Sequence, residues 1–109
     1  MAVVDESRFD ILLVSLDPTQ GAEIKKMRPC VIISPDEMNR HLKTLIIAPM
    51  TSTVRKYPTR VPITFDNKEG SIVLDQIRTI DKSRIIRKLG IVDNRTRSLI
   101  LETLEKLFG

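Results

Sequence analysis

Short apolar runs, each bounded by turn-forming residues, repeat along the chain. "FDILLVSL" (9–16) suits a buried strand and stops at "DPTQG", where Asp, Pro and Gly signal a turn. The polar segment from Asp17 to Met27 is long for a hairpin connection, and loops of that size often carry function. "PCVIIS" (29–34) predicts a second strand. "PDEMNRHL" (35–42), with Ser34 as N-cap and Glu37 three positions on, predicts one or two helical turns. "KTLIIAPM" (43–50) predicts a third strand and "TSTVRKYP" (51–58) a second polar loop.

In "TRVPITF" (59–65), Val61, Ile63 and Phe65 share one face, and Pro62 argues for a sheet edge because proline cannot donate to a ladder. "DNKEG" predicts a tight turn into "SIVLDQIRTI" (71–80), which reads as one strand. The final segment, "DNRTRSLILETLEKLF" (93–108), opens with Asp93 as N-cap. It spaces Ile100, Leu104, Leu107 and Phe108 at i, i+4, i+7 and i+8, as an amphipathic helix does. The expected fold is mainly β (α+β): a small barrel of short strands closed by a helix, with a short helix after the second strand. No repeat or linker interrupts the chain, so residues 1–109 are expected to form a single domain.

Composition narrows the class. A chain of 109 residues supports one core that buries roughly 60–70% of the unfolded surface. A hydrophobic content of 41% speaks against disorder. No apolar run approaches the roughly 20 residues that span a bilayer, so no membrane partner is expected. "MAVVDESRFD" lacks the cationic start and apolar stretch of a signal peptide. One cysteine, Cys30 within "PCVIIS", makes no internal disulfide and reads as a small buried hydrophobe, which fits a reducing cytoplasm.

The net charge of +4 is unevenly spread, with cations gathered in "KKMR" (25–28), "RKYPTR" (55–60) and "KSRIIRK" (82–88). Such runs are commonly solvated surface, but clusters that converge in the fold make a phosphate site. Tyr57 is the one aromatic expected in a loop, so no base-stacking platform is visible.

The chemical inventory excludes several mechanisms. A single histidine, His41, rules out paired imidazoles, and it reads as a surface residue at the end of the short helix. His and Cys do not cluster, and carboxylates do not fall at metal-ligand spacing, so neither a zinc site nor any other cofactor is expected. The nucleophile elbow and the glycine-rich phosphate loop are also missing. Asp75 interrupts the apolar row of Val73 and Ile77; buried there, it would need a cation such as Arg28 or Arg78, good donors, or a raised pKa. Thr51 and Ser52 place hydroxyls at the exit of the third strand, where such groups commonly satisfy loop backbone. Arg28 stands beside Pro29 where the chain turns from solvent into the core.

Three stretches, "LVSLDPTQGAEIKKMRPCVIISPDEMN" (13–39), "IIAPMTSTVRKYPTRVP" (46–62) and "IVLDQIRTIDKSRI" (72–85), together resemble the MazF/PemK family of toxin endoribonucleases. The resemblance implies an SH3-like barrel with a C-terminal helix, usually a homodimer. It implies metal-independent cleavage of single-stranded RNA at short sequences, leaving a 2′,3′-cyclic phosphate and a 5′-hydroxyl. The family's catalytic arginine falls on Arg28 and its catalytic threonine on Thr51. Glu23 matches an acidic position implicated in activity, and Asp75 one proposed as catalytic in the PemK-like branch. That branch has an arginine two residues before the Asp, where this chain has Val73; Ala22 replaces a common serine. The base is left among Asp75, Glu23 and water.

Lys25, Lys26, Ser52, Arg55, Lys56 and Gln76 are expected to hold the RNA. The implied protein partner is a MazE-like antitoxin with an acidic, disordered tail. Two other readings share the fold. One is a non-catalytic toxin that binds DNA gyrase, whose known members use a C-terminal tryptophan that this chain lacks. The other is an SH3-like module that only binds.

Overall fold

In the computed structural model, which describes residues 6–16, 27–54 and 56–109, the strands are β1 (Asp10–Ser15), β2 (Met27–Ile32), β3 (Thr44–Thr51), β4 (Arg60–Phe65), β5 (Lys68–Val73), β6 (Arg78–Asp81) and β7 (Ile85–Ile91). Helix α1 (Asp36–His41) follows β2, and α2 (Asn94–Phe108) closes the chain. The strands form a curled half-barrel sheet in the order β4-β5-β3-β2-β1-β7, with β6 also paired to β3 and every pairing antiparallel. The expected SH3-like, mainly β architecture is therefore present, with β4 and its Pro62 at an edge.

Strand alternation divides the interior in two. Ile11, Val31, Ala48 and Met50 face one cluster, completed by Val61, Ile63 and Ile72 of β4 and β5 and by Ile100 of α2. Leu12, Val14, Cys30, Ile32, Leu45 and Ile47 face the other, closed by Ile80 and Ile85. The three central strands thus serve two cores at once. Asp66 and Asn67, both at positive φ (54° and 61°), make the β4–β5 hairpin turn, a conformation that Asn and Asp tolerate well. The turn is narrower than the "DNKEG" reading, because Lys68 to Gly70 already belong to β5.

Several expectations need correction. Ser34 does not cap α1; the cap is Pro35, without a side-chain bond. The buried Ser34 hydroxyl instead donates to Asn39 Oδ1 at 2.5 Å and accepts from the Ile46 N–H at 3.1 Å, tying α1 to β3. The stretch 71–80 is two strands, separated by a 3₁₀ turn at Leu74–Gln76. Between the β3–β5 and β3–β6 pairings, Ala48 and Pro49 face Val73 to Ile77, so the extra residues must loop out. The "KSRIIRK" cluster supplies the whole of a 3₁₀ turn (Lys82–Arg84) and the start of β7, whose charged residues are exposed beside β1.

Helix α2 begins as expected, with Asp93 accepting the Thr96 N–H at 2.8 Å. Its apolar stripe, however, outruns the core. Ile100 is fully buried and Leu104 packs partly against the sheet, but Leu107 and Phe108 are 37% and 71% exposed.

Candidate active site

Arg28 is the second residue of β2, a strand that passes from exposed at Met27 and Arg28 to fully buried from Cys30 onward. Pro29 fixes its own φ and keeps the preceding residue extended, so the Arg28 backbone is held at the mouth of the core. The Cys30 thiol donates to the Arg28 carbonyl at 3.5 Å. Burial pushes that thiol up to about 12, so it stays protonated and remains a donor.

Thr51 ends β3 opposite Ser71. The neighbouring Gly70 is required there, because a Cβ at residue 70 would collide with the Thr51 carbonyl oxygen. The Thr53 N–H donates to Thr51 Oγ1 at 3.2 Å, which orients the hydroxyl and leaves its proton available to a ligand.

The opposite wall comes from β4 and the 3₁₀ turn. Tyr57, Pro58, Thr59 and Arg60 form a turn closed by the Arg60 N–H on the Tyr57 carbonyl at 3.1 Å, with proline at the position that presets it. The Arg60 guanidinium lies 5.0 Å from the centre of the Tyr57 ring. Arg60 stands opposite Val73 in the β4–β5 register. The Leu74 N–H reaches the Thr59 carbonyl at 3.1 Å and ties the 3₁₀ turn to this wall. Within that turn Leu74 is buried, while Asp75 and Gln76 are exposed.

These elements enclose a cleft of about 270 Å³ lined by Arg28, Thr51, Thr53, Tyr57, Arg60, Val73 and Gln76. Among the described residues its polar lining is two guanidiniums, three hydroxyls and an amide, with no carboxylate. That donor-rich, cationic surface suits a phosphodiester. Arg28, Thr51 and Gln76, all singled out in the sequence, thus meet. Ser52 and Lys56 are exposed on the adjoining loop and are not part of the lining. Glu23, Lys25, Lys26 and Arg55 lie outside the described residues.

Asp75 differs from its expected setting. The strand breaks at its position, so it is exposed rather than buried in an apolar row, and its partners are neither Arg28 nor Arg78. Its Oδ1 accepts from Thr59 Oγ1 at 3.1 Å and lies 3.8 Å from Arg60 Nε, and Asp75 is not among the residues that line the cleft. Of the three cationic clusters, the first two meet in the cleft through Arg28 and Arg60. The third is engaged elsewhere: Lys82 donates to the Asn39 carbonyl, Arg84 to the Ser15 carbonyl, and Lys88 pairs with the buried Asp10 at 3.3 Å. Sequence reasoning did not single out Thr53 or Arg60 as site residues. The cation run 55–60 and the "YPTR" turn were the available signals, but the register that sets Arg60 against Val73 lies beyond local pattern.

A family model described as PemK-like, MazF-like toxin of type II toxin–antitoxin system matches residues 7–108. The endoribonuclease MazF of Staphylococcus saprophyticus subsp. saprophyticus is 38% identical over 108 residues, covering 94% of this chain and 90% of that protein. Among solved structures, the Mycobacterium tuberculosis toxin MazF-mt6 is 25% identical with a TM-score of 0.77, covering 91% of this chain and 95% of that one. A MazE–MazF structure (Form-II) from Deinococcus radiodurans shares the fold at a TM-score of 0.84 and 22% identity, covering 98% of each chain.

Proposed function

The chain belongs to the PemK-like, MazF-like toxins of type II toxin–antitoxin systems, and from that premise we propose that it is a sequence-specific endoribonuclease acting on single-stranded RNA. The supporting observation is the shared cleft in which the Arg28 guanidinium and the Thr51 hydroxyl both stand. The scissile phosphate sits between them. The ribose 2′-oxygen attacks phosphorus, the bond to the 5′-oxygen breaks, and the products are a 2′,3′-cyclic phosphate and a 5′-hydroxyl. One proton leaves the 2′-hydroxyl and one is delivered to the departing oxygen.

Arg28 stabilises the charge that builds on the phosphoryl oxygens with its fixed fork of N–H donors. Thr51 donates its hydroxyl proton to the same group. The base is Glu23, Asp75 or water, and the chemistry calls for no metal or other cofactor, because the guanidinium supplies the positive charge. Lys25, Lys26, Ser52, Arg55, Lys56 and Gln76 hold flanking nucleotides, and their phosphate contacts add affinity without sequence preference.

The chain acts as one domain over residues 1–109, as a homodimer in the cytoplasm, and is inhibited by an antitoxin whose acidic tail lies in the cationic cleft. The exposed apolar side chains Leu101, Leu107 and Phe108 on α2 support self-association. Among the described residues no helix is long and apolar enough to cross a membrane.

Arg28→Ala tests the reading. A fixed donor of this type contributes about 2.7–4 kcal/mol, so cleavage of a long transcript should fall by about 10²–10³ while the fold is kept. A 2′-deoxyribose at the scissile nucleotide should block the wild type completely. A folded Arg28→Ala protein that cuts at the normal rate would overturn the assignment.

A further inference from the structure

Arg60 has no part in the reaction above, yet its setting is that of a ligand-holding group. Its side chain is only 15% exposed, and its Nε, which is buried, has no hydrogen-bond partner among the described residues. Burying a guanidinium N–H without an acceptor is costly, and because that Nε is covered, a ligand in the cleft meets the rest of the side chain, through which Arg60 lines it. The nearest carboxylate oxygen, Asp75 Oδ1, is 3.8 Å away, within ion-pair reach but beyond a hydrogen bond, and it already accepts from Thr59. The Tyr57 ring supports the guanidinium from another side. Arg60 is therefore aimed by its neighbours while its Nε–H has no acceptor among the described residues. It also shares its cleft with a second cation, Arg28, and no carboxylate among the described residues lines that cleft. Two like charges in one recess favour an anion that spans them.

We propose that Arg60 grips a second phosphate of the RNA backbone, next to the one at Arg28, and that Asp75 is a positioning residue that aims the Arg60 guanidinium. This rests on the cleft being an RNA site. The planar fork of arginine suits the task, because two donors can engage two phosphate oxygens together.

The test separates binding from cutting. The probe is a random-sequence pool of RNAs about 12 nucleotides long with 2′-O-methyl sugars, which internal attack cannot cleave. Binding is followed by fluorescence anisotropy over a salt series, after circular dichroism has established that each variant folds. Arg60→Ala should bind about tenfold more weakly at low salt, with a salt slope smaller by about 0.7, the share of one single-strand phosphate contact. Arg60→Lys should keep the slope but bind more weakly, having lost the fork. Asp75→Asn should weaken binding in the wild-type background and add nothing to Arg60→Ala. Should Arg60→Ala fail to fold, Arg60→Gln serves in its place with the same expectation.

Wild-type affinity and slope in a folded Arg60 variant would overturn the proposal, as would a wild-type protein that does not bind the pool. Loss on Asp75→Asn that adds fully to Arg60→Ala would overturn the role given to Asp75. Cleavage of a long transcript is read in parallel. Arg60-dependent binding without cutting would reject the nuclease reading and keep the second phosphate site; cutting with binding indifferent to Arg60 would do the reverse.

Discussion

Gly70→Ala adds one methyl group beside Thr51, and its effect can be worked out in sign as well as size. The new Cβ would sit far inside van der Waals contact with the Thr51 carbonyl oxygen, 3.4 Å from the carbonyl carbon and 3.6 Å from Ser52 Cα. All three atoms are backbone, so no side chain can rotate away. Overpacking of this kind costs about 1–3 kcal/mol. The backbone at residue 70 is one that alanine can adopt, so restriction of the unfolded chain returns about 0.4–1 kcal/mol. The net loss is between about 0 and 2.6 kcal/mol, or up to roughly 11 °C in melting temperature for a domain of this size.

The two strands meet only through Met50–Ile72 and Thr51–Ser71, so the displacement falls on Thr51. A shift of about 1 Å in a reacting group costs about 10²-fold in rate, and a shift of a few tenths should cost about tenfold. Thermal melting by circular dichroism and single-turnover cleavage of a long transcript measure both quantities. A variant that melts at or above the wild-type temperature and cuts at the wild-type rate would refute the close approach.

Cys30 should resist an aromatic disulfide reagent at pH 8 until denaturant is added, because its buried thiol is pushed up to about 12. The charged form is the one penalised, so this contribution to stability is full below the unfolded thiol value of about 8.5 and is lost as pH rises toward the folded one. Wild type should therefore lose more stability than Cys30→Val between about pH 9 and 11, as denaturant midpoints would show. Asp93 behaves oppositely. The Thr96 hydrogen bonds hold its carboxyl below the ordinary 3.8, so its stabilisation is present above that value and fades as pH falls through the depressed one. The melting-temperature gap between wild type and Asp93→Ala should shrink toward about pH 2, and a gap constant with pH would contradict the cap.

Local pattern carried most of the fold. Strands with clear alternation, such as Val61–Ile63–Phe65, and a capped amphipathic helix are written in neighbouring residues, and they form as expected. What stayed hidden depends on partners distant in sequence. The break at Leu74–Gln76 follows from β3 pairing first with β6 and then with β5, a register that no property of "SIVLDQIRTI" encodes. Strand β7 was masked by its own charges, since Arg87 and Lys88 read as a solvated run until β1 is set alongside. The candidate site divides in the same way. Arg28 and Thr51 carried recognisable local context, the "RP" dipeptide and a strand exit. Arg60 became visible only when the β4–β5 ladder placed it across from Val73.

Strand β2 behaves as a cantilever. Its far half is clamped on both faces, with Val31 in one interior and Cys30 and Ile32 in the other, while the end that carries the guanidinium of Arg28 is laddered on one side only, to Val14 and Ser15 of β1. Any slackening of either clamp is therefore transmitted to the tip. Enzymatic rate in this molecule doubles as a gauge of interior tightness, and substitutions remote from the cleft can tune it without touching a single group that meets the nucleic acid.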